Sequence, residues 1–466
     1  MPRIPEAEMP SVEVHKFGGG VLSSKEHYRR AAAIVKNLSA EGKRIVAVVS
    51  AKNGVTNRLI SMIESAAQKK PLNGMLEELG RLRQEHEQIC SGSAPKDSFD
   101  KVFGEMKAIL TKVHRKGKFV ARQYDNFVSR GEELSALALS THLPDFSISK
   151  PEQFIMTRGR HGNAAIDLRR TKPPLYNSIL PGFYGGTRFS RIPFLRKFAS
   201  RKLVGRGGTD LSAAAAGLAL NADQMVFWKD NLLASANPKD VGAEKVAYYG
   251  QVPRRVAEEA AAHGASIFHH HAIAIAANSR AEIRVKDINK PEGNGTLLST
   301  QEGKPDGKLP IIIARQDEQS IVSIEGSGFV ANPGVVVHIK QALAKAGISF
   351  DVVGTGERMY AFSIDSSEQE RAKKALEPAI RKLNKIFHET GNPFEMKATR
   401  GYSLIGVIRE NVAHHELQQK IGNAFHSAKV SPEMVSIVGH SASYLVESSD
   451  AQKVVKALHQ TLVENK

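Results

Sequence analysis

The five residues Ile45-Val46-Ala47-Val48-Val49 carry no polar side chain, and this run limits the possible folds more than any other stretch of the chain. A strand with one face in water alternates apolar and polar residues. A strand without alternation must be covered on both faces, as in a parallel sheet held between two layers of helices. The neighbouring sequence agrees. Residues 11–17 read as a strand, and Ser23 or Ser24 then caps a helix whose apolar positions Ala32, Ile34, Val35 and Leu38 recur at helical spacing. Residues 56–67 read as a second helix. Such a βαβα opening predicts a three-layer α/β domain with a central, mostly parallel sheet.

Further along, residues 73–116 are polar and helix-rich, and residues 124–142 form an apolar-faced helix. Short strands are expected near 154–157 and 179–183, a small-residue helix at 211–220 capped by Asp210, a buried strand at 225–228 and a closing strand at 281–285. After Leu298 the composition changes, and residues 300–309, rich in Lys, Gly, Asp and Pro, read as a linker. Beyond it come a strand (320–325), a helix (334–346), two strands (350–354 and 358–364) and a helix (367–383). A second copy begins near Tyr402, with a helix at 415–428, strands at 435–438 and 442–446, and a helix at 451–461. Two tandem βαββα units are an internal repeat with a ferredoxin-like layout. The expected division is a catalytic-looking domain over residues 11–299, a linker over 300–316, and two small domains over 317–393 and 394–466.

With 466 residues the chain can build two or three domains, each with its own core. No stretch approaches the eighteen or so uninterrupted apolar residues of a membrane helix. Residues 1–10 carry Pro and Glu where a signal peptide would carry an apolar core, so a short leader is expected there. Cys90 is the only cysteine, which excludes an internal disulfide and makes the cytoplasm the expected location. The formal charge of +17 could serve nucleic acid, an acidic membrane or small anionic substrates. The basic residues are scattered, apart from one dense stretch at 188–206, and aromatic residues are only 6%, too few for base stacking. The charge therefore reads as a bias of the host organism together with an anion-binding site, and no nucleic-acid or membrane partner is expected.

Two glycine runs could form that site. Lys16-Phe17-Gly18-Gly19-Gly20 follows a strand, where glycines let backbone N–H groups approach a phosphate closely and Lys16 adds a positive charge. It is not a Walker loop, because the lysine precedes the glycines; alone, such a run is more often a plain turn. Gly205-Arg206-Gly207-Gly208-Thr209-Asp210 repeats the logic before a helix, and the planar guanidinium of Arg206 suits bidentate capture of a carboxylate. Two such loops, each after a strand and before a helix, suggest a phosphate held between them.

Lys16-Phe17-Gly18-Gly19, Ser50-Ala51-Lys52-Asn53-Gly54-Val55-Thr56-Asn57, Arg130-Gly131-Glu132-Glu133-Leu134-Ser135 and the run Gly205 to Asp210 occur in the order seen in the aspartokinase family, which this chain resembles. Gly182-Phe183-Tyr184-Gly185 and Pro291-Glu292-Gly293-Asn294-Gly295-Thr296-Leu297 are also similar to that family, and the tandem repeat resembles its paired ACT regulatory domains. The resemblance implies ATP-dependent phosphorylation of L-aspartate to 4-phospho-L-aspartate, with magnesium as Mg2+ bridging the ATP phosphates. It gives Lys16 the neutralisation of the migrating phosphoryl group, and Asp210 the orientation of Lys16 and of the magnesium shell. Ser50 would contact the phosphoryl group or the acceptor. Thr56, Glu132, Arg206 and Thr209 would hold aspartate, with Glu132 on its ammonium group and Arg206 on a carboxylate. ATP would meet Lys16, Gly18, Gly19, Gly20, Gly207, Gly208, Lys229, Asp230 and Lys239.

The departures fall on the nucleotide side. The family usually has Thr-Ser where this chain has Gly20-Val21, so a hydroxyl near the phosphates is lost. The segment Trp228-Lys229-Asp230-Asn231-Leu232-Leu233-Ala234-Ser235-Ala236-Asn237-Pro238-Lys239 is one residue shorter than the family pattern, lacks its Tyr and has Asn237 for an Asp. Ser266, in His263-Gly264-Ala265-Ser266-Ile267-Phe268-His269-His270, replaces a lysine expected to reach the phosphates. Lys229 could supply that cation, and the run Ser235 to Gly242 is similar to a divergent branch associated with ectoine-type osmolyte synthesis. Alternatively, ATP binding is impaired and the protein is a regulatory paralogue that senses amino acids.

Residues 187–204 hold six Arg or Lys among apolar residues, which suits a lid over the nucleotide or a solvated basic loop. His269-His270-His271 invites a metal, but adjacent helical residues point in different directions and no carboxylate sits at ligand spacing, so no metal site is expected. Tyr248 and Tyr249 read as packing residues. In the first small domain Asn332 and Gly334 sit at a helix N-terminus, which favours a carboxylate, and Asp351 could take an ammonium group. An amino-acid effector is the ligand this pair would suit in an ACT domain, and shared ACT interfaces imply a homodimer or higher homo-oligomer.

Overall fold

The apolar run at 45–49 lies in the middle of an eight-stranded sheet, and all five of its side chains are buried. The computed structural model describes residues 10–161, 163–187, 200–204, 207–265, 268–301, 309–326, 329, 332–387 and 393–465. The chain divides into two units. The first comprises Met1–Leu233, Gly250–Arg254 and Ile267–Gln301, and the second Ala234–Tyr249, Arg255–Ser266 and Glu302–Lys466.

The large sheet of the first unit uses β1 (Val12–Phe17), β2 (Arg44–Val49), β3 (Ser147–Ile148), β4 (Ser178–Pro181), β5 (Gln224–Lys229), β6 (Gln251–Pro253), β7 (Glu282–Asp287) and β8 (Thr296–Ser299). Their spatial order is β6-β8-β7-β5-β1-β2-β4-β3. Every pairing is parallel except that of β7 with β8. Phe17 stands beside Val49 on one side and Trp228 on the other, so the carboxyl ends of β1, β2 and β5 are level. Helices α1 (Lys25–Ala40), α2 (Val55–Ala67), α3 (Gly208–Leu220) and α4 (His270–Ala277) belong to this unit, and the Ser24 hydroxyl caps α1 by accepting the His27 N–H at 3.3 Å.

Several expectations change here. The single helix expected over 124–142 is two, Ala121–Val128 and Arg130–Ser140, meeting at Ser129. Instead of a strand at 154–157 there is a short helix, Pro151–Phe154, started by a proline that suits its first turn, and then a ribbon of Thr157–Arg160 with Asn163–Ile166. The strand expected to close the sheet, now β7, is followed outward by β8 and β6. Asp210 does not cap α3: the helix starts at Gly208, and the capping position belongs to Gly207 at φ 72°.

In the second unit one antiparallel sheet holds both repeats. Its strands are β9 (Ile312–Glu325), β10 (Val353–Thr355), β11 (Met359–Asp365), β12 (Glu395–Ile408), β13 (Met434–Val438) and β14 (Ser441–Glu447), in the order β10-β11-β9-β12-β14-β13. The helices are α5 (Pro333–Ala346), α6 (Gln369–Ile386), α7 (His415–Ala428) and α8 (Ser448–His459). β9 and β12 are 14 residues each, about twice the strand expected at 320–325. Residues 319–325 of β9 pair with β11 and with 395–402 of β12, whereas residues 312–316 pair with 404–408, the part of β12 that also joins β14. Each repeat therefore lends half a strand to its sister. Met396 and Ala398 pack on the core of Val322, Ile324, Val335 and Leu376, while Ile313 packs on the core of Ile405, Val407, Ile421 and Val454. The change of partner is made at equivalent places, Glu318 (φ 57°) and Gly401 (φ 99°), each the seventh residue of its strand.

The boundaries expected from sequence do not follow this layout. β9 begins inside the stretch assigned to a linker, because Asp317-Glu318-Gln319 interrupts the apolar alternation that would announce one long strand. Residues 234–249 and 255–266, expected in the catalytic domain, pack in the second unit: Ala236, Val241 and Val246 join its core, and Ser235 Oγ meets His459 Nε2 at 2.9 Å. Tyr249 donates its hydroxyl to Ile311 O at 2.7 Å, as a packing residue would, but Tyr248 is 45% exposed. Among the described residues no helix is long and apolar enough to cross a membrane.

Candidate functional site

In an open parallel sheet, small molecules bind beyond the carboxyl ends of the strands where connections leave in opposite directions. Here that place lies beyond β1, with β2 on one side and β5 on the other. A cavity of about 280 Å3 opens there, lined by Lys16, Gly19, Ser50, Thr56, Glu132, Gly207, Gly208, Thr209 and Asp210, all expected from the sequence. Its wall also includes Lys52, Asn53, Gly54 and Phe183, to which the sequence reading gave no role.

Phe183 is held at φ 70°, a left-handed conformation that costs a bulky residue about 1–2 kcal/mol. A Cβ on Gly208 would lie 2.6 Å from the Phe183 ring, so the first residue of α3 can reach the cavity wall only as glycine. The Gly-Phe-Tyr-Gly-Gly composition of 182–186 was the only signal available for this feature.

On the phosphate-loop side, Lys16 is buried and its Nζ lies 2.6 Å from Asp210 Oδ1, while Asp210 Oδ2 accepts the His269 N–H at 2.9 Å. Burial pushes the Asp210 carboxyl upward, but Lys16, Lys229 and the His269 N–H outweigh it and hold it below the usual carboxylate range. Burial first, and repulsion from Lys16 second, push the Lys229 ammonium down to about 8, against the pull of Asp210 and Asp230. Across the cavity, burial pushes Glu132 up to about 8, and the backbone groups of Glu132 and Ala51 offset only part of this. Glu132 is 3% exposed, and its Oε2 has no hydrogen-bond partner among the described residues. The adjacent Glu133 differs: Arg130 and Arg201 bind it at 2.6 and 2.7 Å and hold its carboxyl low despite burial.

Other expected residues stand apart from the cavity lining. Gly18 packs against Lys16, whose Nζ would be 2.9 Å from an added Cβ. Gly20 is exposed in a 3-10 turn with open space around it, Asp230 is exposed beyond β5, and Lys239 belongs to the second unit, in the short helix Pro238–Val241. Arg206, Ser266 and residues 188–199 of the basic segment lie outside the described residues. In the second unit Asn332 and Gly334 are exposed at the start of α5, and Asp351 lies beyond its other end, with its carboxyl raised by burial. Cavities of about 720 and 480 Å3 in that unit are lined by other residues. The three histidines do not diverge as expected. His269 precedes α4 in an extended conformation (φ −61°, ψ 130°), and a ligand atom from each ring falls within 4.8 Å of the others.

The family model of the amino acid kinase family matches residues 11–287, and an ACT domain model matches residues 322–380. Aspartokinase 2, chloroplastic, of Arabidopsis thaliana is 24% identical over 470 residues, covering 97% of this chain and 84% of that protein. Lysine-sensitive aspartokinase 3 of Escherichia coli is 23% identical, covering 98% of this chain and 100% of that protein. In fold, the chain is similar to the crystal structure of E. coli aspartokinase III in complex with aspartate and ADP, with a TM-score of 0.81 at 21% identity over 97% of this chain and 99% of that one.

Proposed function

Because the chain belongs to the amino acid kinase family, we propose that it transfers the γ-phosphoryl group of ATP to the side-chain carboxylate of L-aspartate, giving ADP and 4-phospho-L-aspartate. One observation carries this reading: a buried carboxylate with an unpartnered oxygen, Glu132, shares a small cavity with the buried Lys16–Asp210 pair. A carboxylate so placed suits an ammonium group, and a lysine beside glycine N–H groups at the start of α3 suits a phosphate.

The acceptor carboxylate is already ionised at neutral pH, so no general base is required. What remains is positioning and charge compensation, the main contributions in phosphoryl transfer. Glu132 takes the ammonium group, Thr56, Thr209 and Arg206 take the carboxylates, and Ser50 stands at the end of β2 to meet the migrating group. Lys16, held by Asp210, faces the charge that develops on the phosphoryl oxygens, and Lys229 adds a second cation to that side. Gly18, Gly19, Gly20, Gly207 and Gly208 let the chain approach the phosphates, with Asp230 and Lys239 assigned to the nucleotide from the family resemblance. Mg2+ would arrive on the ATP phosphates and neutralise part of their charge; among the described residues the only cluster of three possible metal ligands is made of histidines, not carboxylates.

The product is an activated acyl phosphate, suited to open a route to lysine, threonine and methionine or to ectoine. An amino acid would regulate it at the ACT units through Asn332, Gly334 and Asp351, in a homodimer or larger homo-oligomer in the cytoplasm. The E. coli relative named lysine-sensitive supports an effector of this class. Trapping the acyl phosphate with hydroxylamine tests the proposal. Purified protein with MgATP should give a hydroxamate from aspartate and not from glutamate or N-acetylglutamate. A hydroxamate from another acid would change the acceptor, and none from any acid, together with amino-acid binding, would assign a non-catalytic sensor.

A further inference from the structure

We propose that His269, His270 and His271 form a binding site for a borderline divalent transition ion, such as Zn2+, Co2+ or Ni2+. The site follows from how the chain enters α4. His269 is the capping residue and is extended, so its ring folds back beside those of the first helical turn. The ring centroids are 4.5, 5.3 and 4.2 Å apart, and one ligand atom from each residue lies within 4.8 Å of the others. His269 Nδ1 is shielded from solvent and has no hydrogen-bond partner among the described residues. A buried imidazole nitrogen without a partner costs free energy that a metal bond would recover.

The chemistry selects the ion. Three neutral imidazoles suit zinc, cobalt or nickel and leave a fourth position for water or another ligand, whereas magnesium and calcium require oxygen ligands. Tetrahedral ligation at 2.0–2.1 Å needs nitrogens about 3.4 Å apart, so the rings must close by about 1 Å. His271 is the exposed member of the three. The inference does not depend on the kinase reading, although the site adjoins the phosphate loop: the His269 N–H holds Asp210, and a Cβ on Gly207 would collide with the His269 ring at 2.3 Å.

The test uses the full chain. Zn2+ affinity is measured by competition with a chromophoric chelator, and Co2+ is added separately to record visible absorption. The expected result is one ion bound at micromolar or lower Kd and an intense, tetrahedral-type Co2+ spectrum. His271→Ala, at an exposed position, should weaken Zn2+ about tenfold, and His270→Ala/His271→Ala about a hundredfold, with circular dichroism unchanged. No retained ion at tens of micromolar free Zn2+ would overturn the proposal. So would equal affinity of the parent and double variant, which would place the ion on other histidines.

Discussion

Glu132 and Lys229 are displaced by the same force in opposite directions, and both arrive at about 8. Burial raises the carboxyl and lowers the ammonium; backbone hydrogen bonds at Glu132, and Asp210 and Asp230 near Lys229, offset only part of it. By contrast, Asp210 is buried and Glu133 half-buried, yet basic partners hold both low. The difference separates groups whose charge is balanced within the protein from groups whose charge is not. In the proposed reaction Glu132 would meet the ammonium group of the acceptor, and Lys229 would meet the anionic phosphates.

The comparison can be broken most directly at the group the two sides share. Lys16→Met should lower kcat by about a thousandfold, read as ADP release at saturating substrates. Activity within tenfold of the parent would remove Lys16 from the reaction. Glu132→Gln should next raise the aspartate KM by about tenfold to a hundredfold with little change for ATP, the loss expected for one charged hydrogen bond. The same variant should abolish a proton release that accompanies aspartate binding at pH 7, measurable by calorimetry in buffers of different ionisation enthalpy. An unchanged proton count would mean that Glu132 does not meet the ammonium group. Lys229→Met should act in mirror image, raising the ATP KM about tenfold and leaving aspartate untouched.

The smallest effect is on the ligand-free protein. From pH 4.5 to about 8 the native state keeps the Glu132 proton that the unfolded chain has lost, so stability should fall as pH rises through this window. From about 8 to 10.5 the unfolded chain keeps the Lys229 proton that the native state has lost, so stability should rise again. Thermal melting should therefore show a shallow minimum near pH 8, and Glu132→Gln should flatten its acid limb.

Features fixed by neighbouring residues were legible from the sequence alone. The buried run 45–49, the Ser24 cap and the helix His415–Ala428 appear where periodicity and capping put them. Nine of the expected site residues meet in one cavity, because loops at strand ends converge in a parallel sheet. What depends on distant partners was not legible. By its own position Asp210 reads as a helix cap; only the family resemblance tied it to Lys16, 194 residues away, and the two lie 2.6 Å apart. Glu132 and Glu133 are alike in residue type, told apart only by the family resemblance, and opposite in environment. The strain at Phe183 shows in the sequence only through its glycine-rich surroundings, because phenylalanine itself carries no signature of a left-handed backbone.

The exchange of half-strands in the second unit bears on how that region can assemble. Neither repeat owns a complete sheet, so neither is an independent folding module, and their pairing must be reached through contacts between residues some 80 positions apart. A fragment cut between the repeats would leave residues 319–325 with an unsatisfied edge, a template for the same segment of another molecule. Two such fragments could complete each other by trading strands, so truncation would be expected to yield intertwined dimers or aggregates in place of a free regulatory monomer.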